Sequence, residues 1–168
     1  MLVGGVMNKD NIYEYLDSKN IKYEVIKHDV ASSMDDIYEY NLPHKEANAK
    51  NIFMRDKKKK NYYLVLIKGS KRLDMKEFRE KVGSTPLSLG SEEDLNKFLH
   101  VEGGNVTPLA LLNDKEHIVK FYLDKDFYLN EGLVAMHPFI NDRSLYMKTA
   151  DLVRLLKENN IVVDEESF

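Results

Sequence analysis

The segment VEGGNVTPLALLND, Val101 to Asp114, places Gly103 and Gly104 just ahead of Pro108. Glycine takes positive φ without steric cost and lets the main chain approach another group, while proline fixes its own φ. Successive N–H groups in such a bend can face one concavity and hold an anion. The same donors can polarise an ester carbonyl and stabilise the oxyanion formed when water attacks it. A plain turn accounts for the pattern too, because GxxxP alone is a weak motif. Two other places bear on the choice. Lys50, with Asn51 beside it in AKNIFM, leads an apolar segment, where its ammonium can hold a phosphate or carboxylate or simply snorkel to water. His137 in VAMHPF ends an apolar run before Pro138, where it can line a pocket or sit half-buried on a backbone carbonyl.

Several chemistries are excluded by what the chain lacks. It has no cysteine, so thiolate nucleophiles, disulfides and cysteine-based zinc sites drop out. His28, His44, His100, His117 and His137 form no HExxH or other tight ligand spacing, so no metal is expected. There is no GxSxG elbow and no P-loop, and VEGGNV follows a helical pattern without GxGxxG spacing, so no cofactor is expected either. A net charge of −3 gives no global pull toward nucleic acid. RDKKKKN nevertheless concentrates Lys57, Lys58, Lys59 and Lys60 beside Arg55, and KGSKR adds Lys68, Lys71 and Arg72. These are either solvated turns or a local patch for a phosphate backbone.

At 168 residues, 43% hydrophobic and 32% charged, the chain is long enough for one domain with a real core. No apolar run approaches the roughly 20 residues of a membrane span. The opening MLVGGVMNKD lacks a basic region and a long enough apolar stretch for a signal peptide. A cytoplasmic location is therefore expected, with neither membrane nor DNA as partner. Met7 can serve as initiator, which would make the first six residues an extension, and residues 1–7 as a whole read as a candidate N-terminal extension.

The elements that must position these residues follow from periodicity and caps. NKDNIYEYLDSK reads as a helix with Asn8 or Asp10 near its N-cap and Ile12, Tyr15 and Leu16 on one face. IKYEVIKH reads as a strand, and SSMDDIYEYNLP as a second helix opened by Ser33 with Asp36 three residues on. AKNIFM and YYLVLIKG flank the lysine turn as a hairpin, and the near-continuous apolarity of the latter marks a central strand covered on both faces. A helix is expected from Asp74 to a C-cap at Gly83, then a short strand, then a helix capped by Ser91. HIVKFYLD, YLNEGLVAMHP and SLYM read as strands, and Thr149 as the cap of a last helix with Leu152, Leu155 and Leu156 on its apolar stripe. The acidic tail, 162–168, is expected to fray. Strands and helices mix without βαβ regularity, so the fold class is α+β: a single domain with a curved, mixed, mainly antiparallel sheet flanked by helices.

Three segments taken in order, AKNIFMRDKKKKNYYLVLI, GGNVTPLALLND and HPFIND, resemble the YbaK/prolyl-tRNA synthetase-associated editing domain. Within it they are most similar to the free-standing branch called ProX, PrdX or ProXp-ala. The match runs from about Ile12 to Lys157, so the resemblance implies one editing domain over 1–168 with a pocket beside its sheet. It also implies a trans-editing hydrolase that cleaves mischarged aminoacyl-tRNA, foremost alanine on proline tRNA, with prolyl-tRNA synthetase as a further partner. Lys50 matches the family lysine that helps place the tRNA 3′ end, and Asn51 its polar neighbour. Gly104, Asn105, Val106, Thr107 and Pro108 match the GxxxP loop, whose backbone holds the aminoacyl carbonyl or terminal adenosine. His137 matches the pocket histidine, and Asn141 closes HPFIN as a substrate contact. On this reading Lys50, Gly104 and His137 are the catalytic set, and Lys57 to Lys60 touch the tRNA backbone. The chain departs from the family after HPFIN, where DRSLYM replaces a threonine-rich stretch. Arg143 and Tyr146 can there reshape one pocket wall, which leaves the amino-acid specificity open. Met54 stands where leucine is usual, a volume-conserving change. Clearance of cysteine or serine, a non-catalytic tRNA- or synthetase-binding module, and a hydrolase of free amino-acid esters are the competing readings.

Overall fold

The computed structural model describes residues 5–168. In chain order it contains α1 (Ile12–Ser18), β1 (Tyr23–Lys27), α2 (Met34–Glu39), β2 (Ala49–Asp56), β3 (Tyr62–Lys68), α3 (Met75–Val82), β4 (Leu87–Leu89) and α4 (Glu92–Asp94). After a π-helical turn at Leu95–Leu99 and a 3-10 turn at Pro108–Asn113 come β5 (Val119–Asp124), β6 (Leu133–Met136), β7 (Arg143–Lys148), α5 (Thr149–Glu158) and β8 (Val163–Glu166).

The α+β class and the mainly antiparallel pairing hold, but the strands divide into two sheets. Five lie in the order β4-β2-β3-β5-β8 and three in the order β1-β7-β6. The β2–β3 hairpin is antiparallel with Ala49 opposite Lys68 and Arg55 opposite Tyr62, whereas β3–β5 and β5–β8 are parallel. The reason for two layers lies in β3, which is buried along its whole length. Tyr62, Leu64 and Leu66 enter the large core, and Tyr63, Val65 and Ile67 enter a second cluster with Phe78 of α3. Covering the first face takes a separate layer: Ile12 and Leu16 of α1, Val134 and Met136 of β6, Leu145 and Met147 of β7, and Leu152, Leu155 and Leu156 of α5.

Helix boundaries follow the caps. The Asp74 carboxylate accepts from the N–H groups of Lys76 and Glu77, both at 3.0 Å, and Gly83 closes α3 at φ 66°. Ser91 and Asp94 form a reciprocal capping box on α4. Thr149 differs from its expected role. It is the first residue of α5, fully buried, and its hydroxyl donates to the Phe127 carbonyl at 2.7 Å instead of capping the helix. A buried hydroxyl takes the acceptor in reach, and here that is a neighbouring turn.

Both chain ends depart from expectation. Of the candidate extension 1–7, residues 1–4 lie outside the described residues, but Met7 is a core residue. Asn113 grips it on both sides: Met7 N–H donates to Oδ1 at 2.7 Å and its carbonyl accepts from Nδ2 at 3.0 Å. The tail expected to fray forms β8, which pairs with β5 from Phe121↔Val163 to Asp124↔Glu166. Backbone donors and acceptors on the open edge of β5 supply this pairing whatever the side chains are. Phe168 then packs near Phe78, and the Lys81 ammonium lies 4.9 Å from the Phe168 ring centre. Truncation after Val162 is expected to lower the thermal midpoint by about 5 °C, equivalent to about 2 kcal/mol in a chain of this size. An unchanged melting curve would show the strand to contribute nothing. Among the described residues no helix is long and apolar enough to cross a membrane.

Candidate active site at the junction of the two sheets

Where the start of β2 meets the end of β6, a cavity of about 260 Å³ opens. Its wall is drawn from the approach to α2 (Ala31–Met34), the start of β2 (Lys50, Asn51), the glycine bend (Gly104, Val106), the end of β6 (Ala135–His137) and Ser144 of β7. Three separately expected elements, the lysine, the bend and the histidine, thus share one concavity. None of the lining residues is acidic.

The bend is held from behind. Gly103 N–H donates to the Glu92 carboxylate at 2.9 Å, and Asn105 N–H donates to the Glu102 carbonyl at 3.1 Å. Thr107 is fully buried; its hydroxyl oxygen accepts from Leu109 N–H at 3.4 Å and its carbonyl from Ala110 N–H at 3.0 Å, starting the 3-10 turn at Pro108. Thr107 and Pro108 therefore stand behind the cavity wall and brace it. Gly104, Val106 and Thr107 remain: among the described residues their N–H groups have no acceptor, and the first two line the cavity. Gly104 lies at φ +88°, and a Cβ there would come within 3.4 Å of Asn141 Nδ2. The backbone angle, more than any lack of room, calls for glycine. Asn141 sits outside the lining and holds the α2 approach, its Nδ2 donating to the Ala31 carbonyl at 3.4 Å. Asn105 also lies outside the lining, with a buried Oδ1 that has no partner.

The Lys50 ammonium donates to the Lys71 carbonyl at 2.7 Å. Lys71 is itself clamped, its ammonium 3.0 Å from Asp124 and 2.7 Å from Asp126. Burial alone would lower the Lys71 pKa, but its hydrogen bonds to Asp126 and Asp124 outweigh that and hold it above the ordinary lysine value. Asn51 Oδ1 is buried without a partner, and so is His137 Nδ1. Burial pushes the His137 imidazole below its usual pKa; a main-chain contact at Arg143 opposes this, and nearby His28 adds to it. His137 is thus a neutral ring at neutral pH, suited to accept or donate one hydrogen bond.

Sequence reading missed Ser144 and His28. His28 Nε2 lies 3.0 Å from Ser144 Oγ, and the pair reaches the cavity through Ser144. No local pattern marks them, because the pairing of β1 with β7 brings together residues 116 positions apart. The departure residues behave differently from expectation: Arg143 pairs with Asp142 at 2.7 Å, and neither it nor Tyr146 lines the cavity. Lys57 to Lys60 are exposed at the tip of the β2–β3 hairpin, about 20 Å from the cavity at the rise of an extended strand. The two lysines of the second basic cluster are structural, whereas Arg72 is exposed. Lys68 is buried, donates to the Glu46 carbonyl and lies 5.2 Å from the Phe127 ring centre, while Lys71 is ion-paired.

A family model described as the aminoacyl-tRNA editing domain matches residues 28–155. The chain is 32% identical to prolyl-tRNA editing protein ProX of Acetoanaerobium sticklandii, over 90% of this chain and 92% of that protein. It is 32% identical to prolyl-tRNA synthetase associated domain-containing protein 1 of Mus musculus, over 82% of each. Among solved structures, one proposed as a trans-editing enzyme for prolyl tRNA synthetase superposes with a TM-score of 0.69 at 17% identity, covering 100% of this chain and 99% of that one, a likeness of fold.

Proposed function

The chain belongs to the aminoacyl-tRNA editing domain family, and from that premise we propose that it is a trans-editing deacylase that hydrolyses the ester of mischarged tRNA, alanyl-tRNA(Pro) foremost. The observation that carries the reading is the pair of unpartnered N–H groups at Gly104 and Val106 on the same small cavity as Lys50 and His137. An aminoacyl ester is already labile, so no strong nucleophile is required. Two aligned donors stabilise the oxyanion as water adds to the carbonyl, and a fixed geometry removes much of the entropic barrier. Lys50 anchors the 3′ end of the tRNA, and a hydroxyl of the terminal ribose helps to activate the water. His137, neutral and half-buried, shapes the pocket. A cavity that takes a methyl side chain excludes the proline ring by overlap, which protects the correctly charged species. Affinity for tRNA rests on the exposed lysines at the hairpin tip and falls as salt rises. Prolyl-tRNA synthetase fits the reading as a partner that supplies the mischarged product.

The Ser32 hydroxyl on the cavity wall favours a second reading, a seryl in place of an alanyl group. Deacylation of alanyl-, seryl-, cysteinyl- and prolyl-tRNA(Pro) measured side by side separates the two. Cleavage of the alanyl ester with the prolyl ester spared is the expected result. A chain that shifts tRNA on a gel but cleaves none of the four is a binding module, and the proposal fails. His137→Ala is expected to cost less than about 10-fold in rate while relaxing the discrimination against proline, since general-base loss typically costs about 100-fold or more. Abolished turnover would make His137 the base.

A further inference from the structure

Gly103 and Gly104 share one turn, closed by the Asn105 N–H bond to the Glu102 carbonyl at 3.1 Å, yet they answer to different causes. Gly104 stands at φ +88°, a left-handed backbone that side chains resist. Gly103 lies outside that region. What forbids a side chain there is Glu92, whose Oε1 is the nearest atom a Cβ would strike. The same carboxylate accepts the Gly103 N–H through Oε2 at 2.9 Å. One oxygen of Glu92 thus holds the amide while the other stands where a side chain would begin.

That contact reaches the turn from a fixed base. Glu92 opens α4 directly after its cap, Ser91. The element is docked on β2: the buried Asp94 carboxylate takes the Arg55 guanidinium at 2.7 Å, and Gly90 N–H donates to the Phe53 carbonyl at 2.9 Å. Lys50 lies near the start of the same strand. One strand therefore places the lysine directly and the turn through Arg55, Asp94 and Glu92. The turn has little else to hold it. Two glycines in succession leave the peptide that carries the Gly104 N–H free to rotate, and the Asn105–Glu102 bond spans that peptide without gripping it. Among the described residues, the Glu92 bond is the one hydrogen bond between 102–105 and another element.

We infer that Glu92 is a positioning residue for deacylation: its carboxylate holds Gly103 so that the Gly104 amide faces the ester carbonyl. This rests on the editing reading above and adds to it a residue outside the cavity lining. Glu92 is exposed, so water can take its place at the Gly103 amide with little loss of stability. What water cannot supply is a fixed direction, and alignment is the quantity on which the rate depends.

The test is single-turnover deacylation of alanyl-tRNA(Pro) across a range of protein concentrations. The plateau rate reports alignment in the complex, and the half-saturating concentration reports tRNA binding. Glu92→Ala is expected to lower the plateau about 10- to 30-fold, the scale of one hydrogen bond to a charged group. The half-saturating concentration should stay within about 2-fold and the thermal midpoint within about 2 °C of the native chain. Glu92→Gln keeps an acceptor in place and retains most of the rate. Gly103→Ala displaces the carboxylate and should lose as much as Glu92→Ala, with the double variant no worse than either by more than about 2-fold. In Glu92→Ala the Gly103 amide should also exchange its hydrogen faster, a readout that needs no substrate. A Glu92→Ala plateau within about 2-fold of native, or losses that multiply in the double variant, would overturn the inference. Native turnover with an indifferent Glu92→Ala removes this inference alone, whereas a native chain that cleaves no mischarged tRNA removes the editing reading with it.

Discussion

Lys50→Ala is expected to slow single-turnover deacylation of alanyl-tRNA by at least about 100-fold, the scale of losing substrate alignment, while the thermal midpoint stays nearly constant. The two halves of that result have different origins. In the folded chain the ammonium makes one hydrogen bond, to the Lys71 carbonyl, at a half-buried position where water can replace it. Its removal therefore costs little stability. In the proposed complex it is the cation on the cavity wall, since no other lining residue carries a permanent positive charge. Without it the 3′ end of the tRNA loses its anchor and the ester carbonyl drifts from the Gly104 and Val106 amides. Retention of rate within a few-fold would mean that the lysine merely reaches for solvent.

Asp124→Ala is expected to destabilise the chain by about 3 kcal/mol, the scale of a broken buried ion pair, and to lower the thermal midpoint by about 6 to 12 °C. Asp124 is fully buried. Its carboxylate accepts from Lys68 N–H at 3.1 Å, from Asp126 N–H at 3.1 Å and from the Lys71 ammonium at 3.0 Å. Alanine strands the Lys68 amide and leaves Lys71 with only the more exposed Asp126. Because Lys71 also presents the carbonyl that holds Lys50, deacylation at temperatures where the variant stays folded should fall too, and Asp124→Asn should lie between. A melting curve within 2 °C of the native chain, at most about 1 kcal/mol, would show that water replaces the carboxylate freely.

Much of this arrangement is legible in the amino-acid sequence. The apolar face of α1, the caps of α3 and the β2–β3 hairpin are local signals, and unbroken apolarity in β3 announces a strand covered on both faces. The lysine, the bend and the histidine were recognisable because each is part of a short motif. What stayed hidden depends on pairing. Nothing in VDEE says strand until the open edge of β5 provides a partner, and nothing near Ser144 says cavity until β7 lies between β1 and β6. Residues 1–7 read as an extension because the two hydrogen bonds that hold Met7 reach Asn113, 106 residues away. Thr107 and Pro108 belong to the recognisable loop, yet they brace the wall from behind, a distinction that spacing along the chain does not carry.

The hairpin that carries the exposed lysines at its tip has the cavity at its root, and β2, paired with β3 along its length, spans the gap. In the proposed complex that strand works as a measuring rod: only a rigid polyanion long enough to touch both ends at once gains from the two contacts together. Short mimics such as an aminoacylated nucleoside or trinucleotide engage the root alone. They should react with unimpaired chemistry once bound but bind weakly, with little response to ionic strength, whereas a full acceptor arm recovers both.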